Sequence, residues 1–307
     1  MITRSDITTA ADRIAPHIRQ TPVLDVADGL GLDNAVTLKL ELFQHTGTFK
    51  ARGAFNSLLA GDVPSAGIVA ASGGNHGAAV AYAAAKLGIP ARIYVPEIAG
   101  ETKIGLIRAT GADLHVVPGA YADAAAAASA YQAETGAATI HAYDAPNTLA
   151  GQGTLGRELE AQVPDIDHLL IAVGGGGLIG GVAAWFDGRI KIIAVEPERA
   201  PTLNRALRDG PDTQVDVGGI AANSLGARQI GRLCYDVART QGIESVLVPD
   251  EAIADAQNRL WHGVRIAAEP GGAAALAALT SGCWTPPPDA RVGVVVCGGN
   301  LDPAPVS

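Results

Sequence analysis

Lys50 stands alone in an apolar stretch of the chain, "ELFQHTGTFKARGAF", residues 41–55. From Leu42 to Ala51 no other side chain carries a permanent charge. An apolar environment with little water lowers the pKa of a lysine, and the neutral amine is a nucleophile toward carbonyl carbon. The stretch therefore predicts a reactive lysine that attacks an aldehyde or ketone.

A glycine-rich turn, "GGGGLIGG" (residues 174–181), follows the apolar run "HLLIAV" and opens the segment "VAAWF". Glycines let backbone N–H groups approach an anion closely, and a helix N-terminus adds free donors and a favourable dipole. A phosphate group is the ligand that this pattern favours, and a flexible loop is the alternative.

The same turn also fits a dinucleotide-binding pattern. Gly175, Gly177 and Gly180 satisfy G-x-G-x-x-G, and Glu196 follows the next apolar run at about the spacing of a ribose-binding acid. An NAD-dependent dehydrogenase that uses the glycine turn at 175–180 is therefore an alternative function. That alternative leaves Lys50 unexplained.

Two further turns carry polar groups. "SGGNHG" (72–77) offers Ser72, Asn75 and His76 at a predicted helix N-terminus, where a carboxylate would bind well, although Asn75 and His76 could also form local loop hydrogen bonds. "CGGN" (297–300) follows the apolar run "RVGVVV", so Cys297 is either a core thiol or a ligand contact. A phosphate site, a carboxylate site and a lysine in an apolar environment are together what a pyridoxal-phosphate enzyme needs. Its lysine binds the cofactor as a Schiff base, and the carboxylate site would bind an amino-acid substrate.

Apolar runs alternate with alanine-rich helical stretches through most of the chain. The predicted strands include "GIVAA" (67–71), "ARIYVP" (91–96), "DLHVV" (113–117), "HLLIAV" (168–173), "IKIIAV" (190–195), "SVLVP" (245–249) and "RVGVVV" (291–296). This alternation predicts an α/β protein whose parallel sheets are flanked by helices. We expect two lobes, a large cofactor-binding domain of residues 1–60 and 146–307 and a small mobile domain of residues 61–145.

Composition excludes several classes of function. The 307 residues are 48% apolar, and the net charge of −9 without a Lys/Arg run argues against nucleic-acid binding. Three cysteines without C-x-x-C spacing argue against a disulfide framework and a zinc knuckle. No signal-peptide pattern or apolar span of membrane length is visible, so we expect a cytoplasmic enzyme without a membrane partner.

Six motifs together resemble the serine/threonine dehydratase and serine racemase branch of the fold-type II pyridoxal-phosphate enzymes. They are "TGTFKARGAF", "SGGNHG", "AGQGT", "GGGGLIGG", "EPGGAAALAAL" and "CGGN", in the family's order. The likeness runs from about residue 17 to residue 301. It implies a two-lobed fold like that of the tryptophan synthase β chain, with the cofactor between the lobes, and a homodimer.

The resemblance also assigns roles to individual residues. Lys50 would bind the cofactor covalently and accept the substrate Cα proton. The cofactor-binding residues would be Phe49, Lys50, Asn75, Gly174, Gly175, Gly176, Gly177, Leu178 and Cys297, with Asn75 at the ring 3-oxygen, the glycine turn at the phosphate and Cys297 at the ring nitrogen. Ser72, Asn75 and His76 would bind the substrate carboxylate.

The family implies an ammonia-lyase that converts L-threonine or L-serine to 2-oxobutanoate or pyruvate and ammonia. Related racemases carry a serine base directly before "GNHG", where this chain has Gly73, so the sequence favours the lyase. The alternatives within the family are a serine racemase and a dehydratase acting on 3-hydroxyaspartate or phenylserine.

A cation site of related enzymes is altered here. They place acids in an E-P-x-x-x-x-D-like pattern, and this chain keeps Glu196 but has Thr202 at the last position. We therefore assign no metal ligand, and whether a divalent or monovalent cation binds near Glu196 stays open. The chain stops soon after "CGGN", so we expect no regulatory domain that binds an amino acid.

Overall fold

The computed structural model describes residues 2–32, 34–97 and 99–301, and ten strands are found among them. In chain order the strands are β1 (Val23–Val26), β2 (Val36–Leu40), β3 (Ile68–Ala71), β4 (Ala91–Pro96), β5 (Asp113–Val117), β6 (Ala138–Thr139), β7 (His168–Ala172), β8 (Lys191–Pro197), β9 (Glu244–Val248) and β10 (Val292–Val296). Every strand predicted from the sequence is present, and most differ from the prediction only at their ends.

The α-helices alternate with most of these strands. They are α1 (Arg4–Ile14), α2 (Lys50–Ala60), α3 (Asn75–Leu87), α4 (Glu101–Arg108), α5 (Tyr121–Thr135), α6 (Pro146–Gln162), α7 (Gly177–Phe186), α8 (Thr202–Asp209), α9 (Ala222–Leu225), α10 (Arg232–Gln241), α11 (Asp250–Val264) and α12 (Pro270–Thr280). Within the described residues no helix is both long and apolar enough to span a bilayer.

The strands form two sheets. The larger has the order β1-β2-β10-β7-β8-β9, and the smaller has the order β5-β4-β3-β6. All pairings are parallel except that of β1 with β2. The predicted α/β class, with parallel sheets flanked by helices, is confirmed.

The central strands of the larger sheet are buried on both faces, which explains their nearly continuous apolar sequence. Leu169, Leu170 and Ile171 of β7 are fully buried, and so are Val294 and Val295 of β10. Parallel strands expose their carboxyl ends at one edge of a sheet, so the turns after β7 and β10 lie near each other.

The smaller sheet is built from residues 68–139, and the larger from residues 23–40 and 168–296. The division into domains at residues 61 and 146 stays a prediction. Helix α2 packs against both parts of the chain: Phe55 belongs to a core cluster with α3, and the N–H of Gly53 donates to Gln152 of α6 over 3.2 Å. A side chain at Gly151 would lie 2.6 Å from the carbonyl oxygen of Arg52, so α2 and α6 approach closely through small residues.

Candidate active site

Lys50 is the first residue of α2, and the backbone before it is tied to the end of β10. Thr48 forms an antiparallel bridge with Gly298, and the N–H of Phe49 donates to the carbonyl of Cys297 over 3.2 Å. The Lys50 side chain is half-buried, and its Nζ donates to the Ala142 carbonyl over 2.8 Å. Burial lowers the pKa of the Lys50 amine to about 8, so about a tenth of it is neutral at pH 7, far more than for a free lysine with a pKa of about 10.4.

Lys50 faces a cavity between the turns that the sequence singled out. Its lining includes all the predicted cofactor-binding residues, namely Phe49, Lys50, Asn75, Gly174, Gly175, Gly176, Gly177, Leu178 and Cys297. It also includes Tyr143, Ala172, Ser224, Leu225, Glu269 and Gly271. The structure thus brings the predicted set together, and the individual roles stay predictions.

The glycine turn joins β7 to α7 and has no room for side chains. Gly176 has φ +89°, and a Cβ atom there would lie 2.5 Å from the Cys234 sulfur. A Cβ atom at Gly175 would lie 2.3 Å from the ring of Tyr143. The turn ends at the N-terminus of a ten-residue helix, so free N–H groups and the helix dipole favour an anion. A phosphate group fits this site.

Cys297 is a buried neutral thiol. Its Sγ donates to the carbonyl of Gly271 over 3.3 Å. Burial, together with the nearby Glu269 carboxylate, raises the pKa of the Cys297 thiol to about 12. A neutral group beside a pyridine nitrogen supports its protonation much less than a carboxylate would.

Asn75 begins α3, and its amide forms hydrogen bonds to both neighbouring turns. Its Nδ2 donates to Glu269 Oε1 over 2.5 Å, and its Oδ1 accepts from Asn300 Nδ2 over 2.9 Å. Glu269 was missed as a site residue, although "EPGG" was recognised as a motif, because its contact with Asn75 joins residues 194 positions apart in the chain.

Ser72 and His76 are close in sequence to Asn75, which lines the cavity, but they are not themselves lining residues. Ser72 Oγ accepts from the N–H of Gly74 over 3.2 Å. His76 Nε2 is 2.8 Å from the Ile140 carbonyl oxygen, to which it can donate as a neutral imidazole. Burial, with a smaller effect of Lys50, lowers the pKa of His76 to about 3. Their contact with a substrate carboxylate therefore stays a prediction.

Glu196 is fully buried, and both of its oxygens accept hydrogen bonds. Oε1 accepts from the N–H of Leu203 over 2.7 Å, and Oε2 accepts from the N–H of Asn204 and the hydroxyl of Ser245. Thr202 donates to the Gly174 carbonyl over 2.5 Å. Glu196 thus caps the N-terminus of α8. Both of its oxygens are occupied by these hydrogen bonds and are not directed at a nucleotide ribose.

Metal ligation has no support in the described part of the chain, where no group of three or more His, Cys, Asp or Glu side chains is arranged to hold an ion. The predicted absence of metal ligands stays a prediction. All three cysteines are free thiols, and Cys283 is exposed.

The parallel sheets, the lysine with a lowered pKa and the glycine turn at a helix N-terminus define a pyridoxal-phosphate enzyme of fold type II. The family model "Pyridoxal-phosphate dependent enzyme" matches residues 14–298, so the chain belongs to this family and its cofactor is pyridoxal 5'-phosphate. This membership disfavours the NAD-dependent dehydrogenase.

Characterised relatives include several enzymes of one branch. The chain is 34% identical to the phenylserine dehydratase of Ralstonia pickettii over 99% of this chain and 97% of that protein. It is 34% identical to the L-threonine ammonia-lyase of Thermotoga maritima over 98% of this chain and 76% of that protein. The structure of maize serine racemase matches with a TM-score of 0.90 at 34% identity and covers 99% of this chain and 95% of that one.

The lowered pKa of Lys50 predicts how apoenzyme takes up its cofactor. The neutral amine is the nucleophile, so the rate of covalent uptake should rise with pH and level off above about 8. Stopped-flow absorbance after mixing apoenzyme with pyridoxal phosphate measures this rate. N-acetyl-lysine amide is the control, because its pKa of about 10.4 gives a rate that still rises at pH 9.5. An enzyme rate that also still rises at pH 9.5 would contradict the lowered pKa.

Proposed function

We propose that the protein is an ammonia-lyase that dehydrates and deaminates L-threonine and L-serine to 2-oxobutanoate or pyruvate and ammonia. The observation that carries the proposal is the asymmetry of the site: Lys50 lines the cavity, whereas Gly73, the position of a second base in related racemases, has no side chain. Proton exchange on one face of the substrate Cα permits elimination but does not support racemisation.

Lys50 is proposed to hold the cofactor and to accept the proton from the substrate Cα. When bound, pyridoxal phosphate supplies an electron sink for the bonds at that carbon. The glycine turn at residues 174–177 and Leu178 would hold the phosphate, Phe49 would pack beside the ring, and Cys297 would face its nitrogen. Because the Cys297 thiol is neutral, the site would favour prompt loss of a β-hydroxyl over a long-lived carbanion.

The surroundings of Gly73 support the lyase over the racemase. A Cβ atom at Gly73 would lie 2.4 Å from Ala99 Cβ and 2.7 Å from Val95 Cγ1. A serine therefore cannot be accommodated there without displacing its neighbours.

The charges around the cavity favour a substrate with a neutral side chain. Among the described lining residues Lys50 is the one basic side chain, and Glu269 contributes a carboxylate. The second carboxylate of 3-hydroxyaspartate would meet this like charge without a spare cation, which makes that substrate unfavourable. Serine, threonine and phenylserine carry no such charge.

A substrate panel tests the function directly. Holoenzyme would be assayed for ammonia and 2-oxo acid with L-threonine, L-serine, their D-enantiomers, 3-hydroxyaspartate and phenylserine. We expect the largest kcat/KM for L-threonine or L-serine. A preference for phenylserine, or the appearance of D-serine from L-serine at a rate comparable to that of pyruvate, would reject the proposal in favour of a relative's activity.

Replacing Gly73 with serine should not create a racemase. The crowding by Val95 and Ala99 should instead lower ammonia release and stability, with a cost of about 1–3 kcal/mol for overpacking. Chiral chromatography of serine after incubation with the variant and with wild type is the measurement. Gly105→Ser is a matched control, because a Cβ atom there meets nothing within 4 Å. Efficient racemisation by Gly73→Ser would contradict this account.

Three further expectations belong to the proposal. The small domain of residues 61–145, which carries Asn75, would close on residues 1–60 and 146–307 when substrate binds. The family resemblance suggests a homodimer, which light scattering of the eluted enzyme would test. Cytoplasmic location is likewise proposed, and fractionation of cells would test it.

A further inference from the structure

We propose that Glu269 and Asn300 are positioning residues that fix the orientation of the Asn75 amide, so that one of its N–H groups points toward the bound cofactor. The proposal rests on the proposed role of Asn75 at the cofactor ring and on no assumption about the substrate. The function proposed above gives Asn300 no role, and it uses Glu269 only as a charge that disfavours a second substrate carboxylate. Both lie in motifs, "EPGG" and "CGGN", that sequence reasoning recognised without explaining these side chains.

The direction of the hydrogen bonds is determined from the Thr46 end. The Thr46 carbonyl can only accept, so the group of Asn300 that lies 2.7 Å from it must be the amide nitrogen. The same Nδ2 lies 2.9 Å from Asn75, which must therefore present its oxygen. The Asn75 nitrogen then faces Glu269 Oε1 over 2.5 Å, and a carboxylate oxygen is a strong acceptor.

This order leaves one N–H of Asn75 for the cavity. A side-chain amide nitrogen carries two N–H groups, and one of them donates to Glu269. Asn75 and Glu269 both line the cavity, whereas Asn300 is not among its lining residues and contacts Asn75. A flipped Asn75 would place its oxygen against the Glu269 carboxylate and its nitrogen against the Asn300 nitrogen, so both contacts would become repulsive.

The same arrangement connects three parts of the site. Asn300 follows β10, Asn75 begins α3 beside the smaller sheet, and Thr46 belongs to the turn that leads to Lys50. Thr46 has φ +62°, which is unusual for a β-branched residue, and its carbonyl is held by Asn300. The Asn300 side chain thus fixes both the Asn75 amide and the backbone that positions Lys50.

Replacing Asn300 with aspartate tests the direction of the hydrogen bonds at almost constant volume. Aspartate has no donor for the Thr46 carbonyl and attracts the Asn75 nitrogen away from Glu269. We expect the dissociation constant for pyridoxal phosphate to rise about tenfold or more, with a shifted absorbance maximum of the bound cofactor. Fluorescence titration of apoenzyme gives the constant, and circular dichroism of apoenzyme reports whether the fold is retained.

Glu269 provides a matched pair of variants. Glutamine can still present an oxygen to Asn75, so Glu269→Gln should bind the cofactor within about threefold of wild type, whereas Glu269→Ala should lose about tenfold. Equal losses in both variants would mean that the charge of Glu269 matters rather than its acceptor, which would overturn the proposal.

The double variant Asn75→Ala/Asn300→Asp separates orientation of Asn75 from general damage. Part of the effect of Asn300→Asp passes through the Asn75 amide, and the rest passes through the Thr46 carbonyl. The loss in the double variant should therefore be smaller than the sum of the two single losses. Additive losses, or unchanged binding and spectrum in Asn300→Asp, would refute the proposal. If Asn300→Asp does not fold, Asn300→Ala replaces it in the same cycle. The proposed substrate preference is unaffected by these outcomes, because cofactor binding is measured without substrate.

Discussion

Replacing Lys50 with alanine is expected to lower kcat by at least about a thousandfold, because the group that moves the substrate Cα proton is removed. The same change removes the amine, with its pKa of about 8, that holds the cofactor covalently. Two measurements check the prediction: steady-state release of ammonia, and mass spectrometry of peptides after borohydride reduction of holoenzyme. In wild type the reduced cofactor should be found on Lys50.

Lys86→Ala is the matched control for Lys50→Ala. Lys86 is exposed near the end of α3, where its Nζ lies 5.6 Å from the centre of the Tyr82 ring. We expect near-normal turnover and normal labelling in this variant. Added methylamine should restore part of the activity of Lys50→Ala if the missing function is an amine. Full activity of Lys50→Ala without added amine would disprove the central role of this residue.

Most strands could be predicted from the sequence because buried parallel strands have nearly continuous apolar sequence. β7, β8 and β10 were predicted to within one or two residues at each end for this reason. β1, β2 and the two-residue β6 were not predicted. β1 has exposed residues in its centre, and β2 contains Lys39, whose charge obscures a buried strand in the sequence although the structure buries it completely.

The site could be predicted where backbone geometry and residue type coincide, as in the glycine turn and at Lys50. The directions in which the side chains point were harder to predict from the sequence. "SGGNHG" placed Ser72, Asn75 and His76 together, but the helix that starts at Asn75 directs Asn75 into the cavity lining and His76 toward the Ile140 carbonyl. Partners distant in sequence, such as Glu269 and Asn300 for Asn75, require knowledge of the tertiary fold.

A buried network of charges behind Lys50 was also hidden from the sequence. Arg52 is fully buried two residues after Lys50, and it donates to both oxygens of Glu41 over 2.7 and 2.8 Å. It also donates to Glu158 of α6 over 2.9 Å, and Lys39 lies 2.5 Å from the other oxygen of Glu158. The two cations and two carboxylates together join β2, α2 and α6, which fixes the helix that begins with Lys50.

Replacing Arg52 with alanine should destabilise the protein by about 3–5 kcal/mol, because the fully buried Glu41 carboxylate loses its cationic partner. Urea unfolding of apoenzyme, followed by circular dichroism, measures this change in free energy. Arg232→Ala is the control: Arg232 is exposed, pairs with Asp236 one helical turn away, and should contribute about 0.5 kcal/mol or less. A similar small loss in Arg52→Ala would show that the buried network does not hold α2.

The acid dependence of stability provides a second test of the same network. Burial alone would raise the pKa of the Glu158 carboxyl, but Arg52 and Lys39 hold it below its usual value. A carboxylate with a lowered folded-state pKa contributes stability above its unfolded pKa of about 4.3, and the contribution is lost as the pH falls through the folded value. Without Arg52 the folded pKa of Glu158 should rise toward that of the unfolded chain. The free energy of unfolding of Arg52→Ala should therefore fall less steeply below about pH 4.3 than that of wild type. An equally steep fall in both proteins would show that Arg52 does not stabilise the charged form of Glu158.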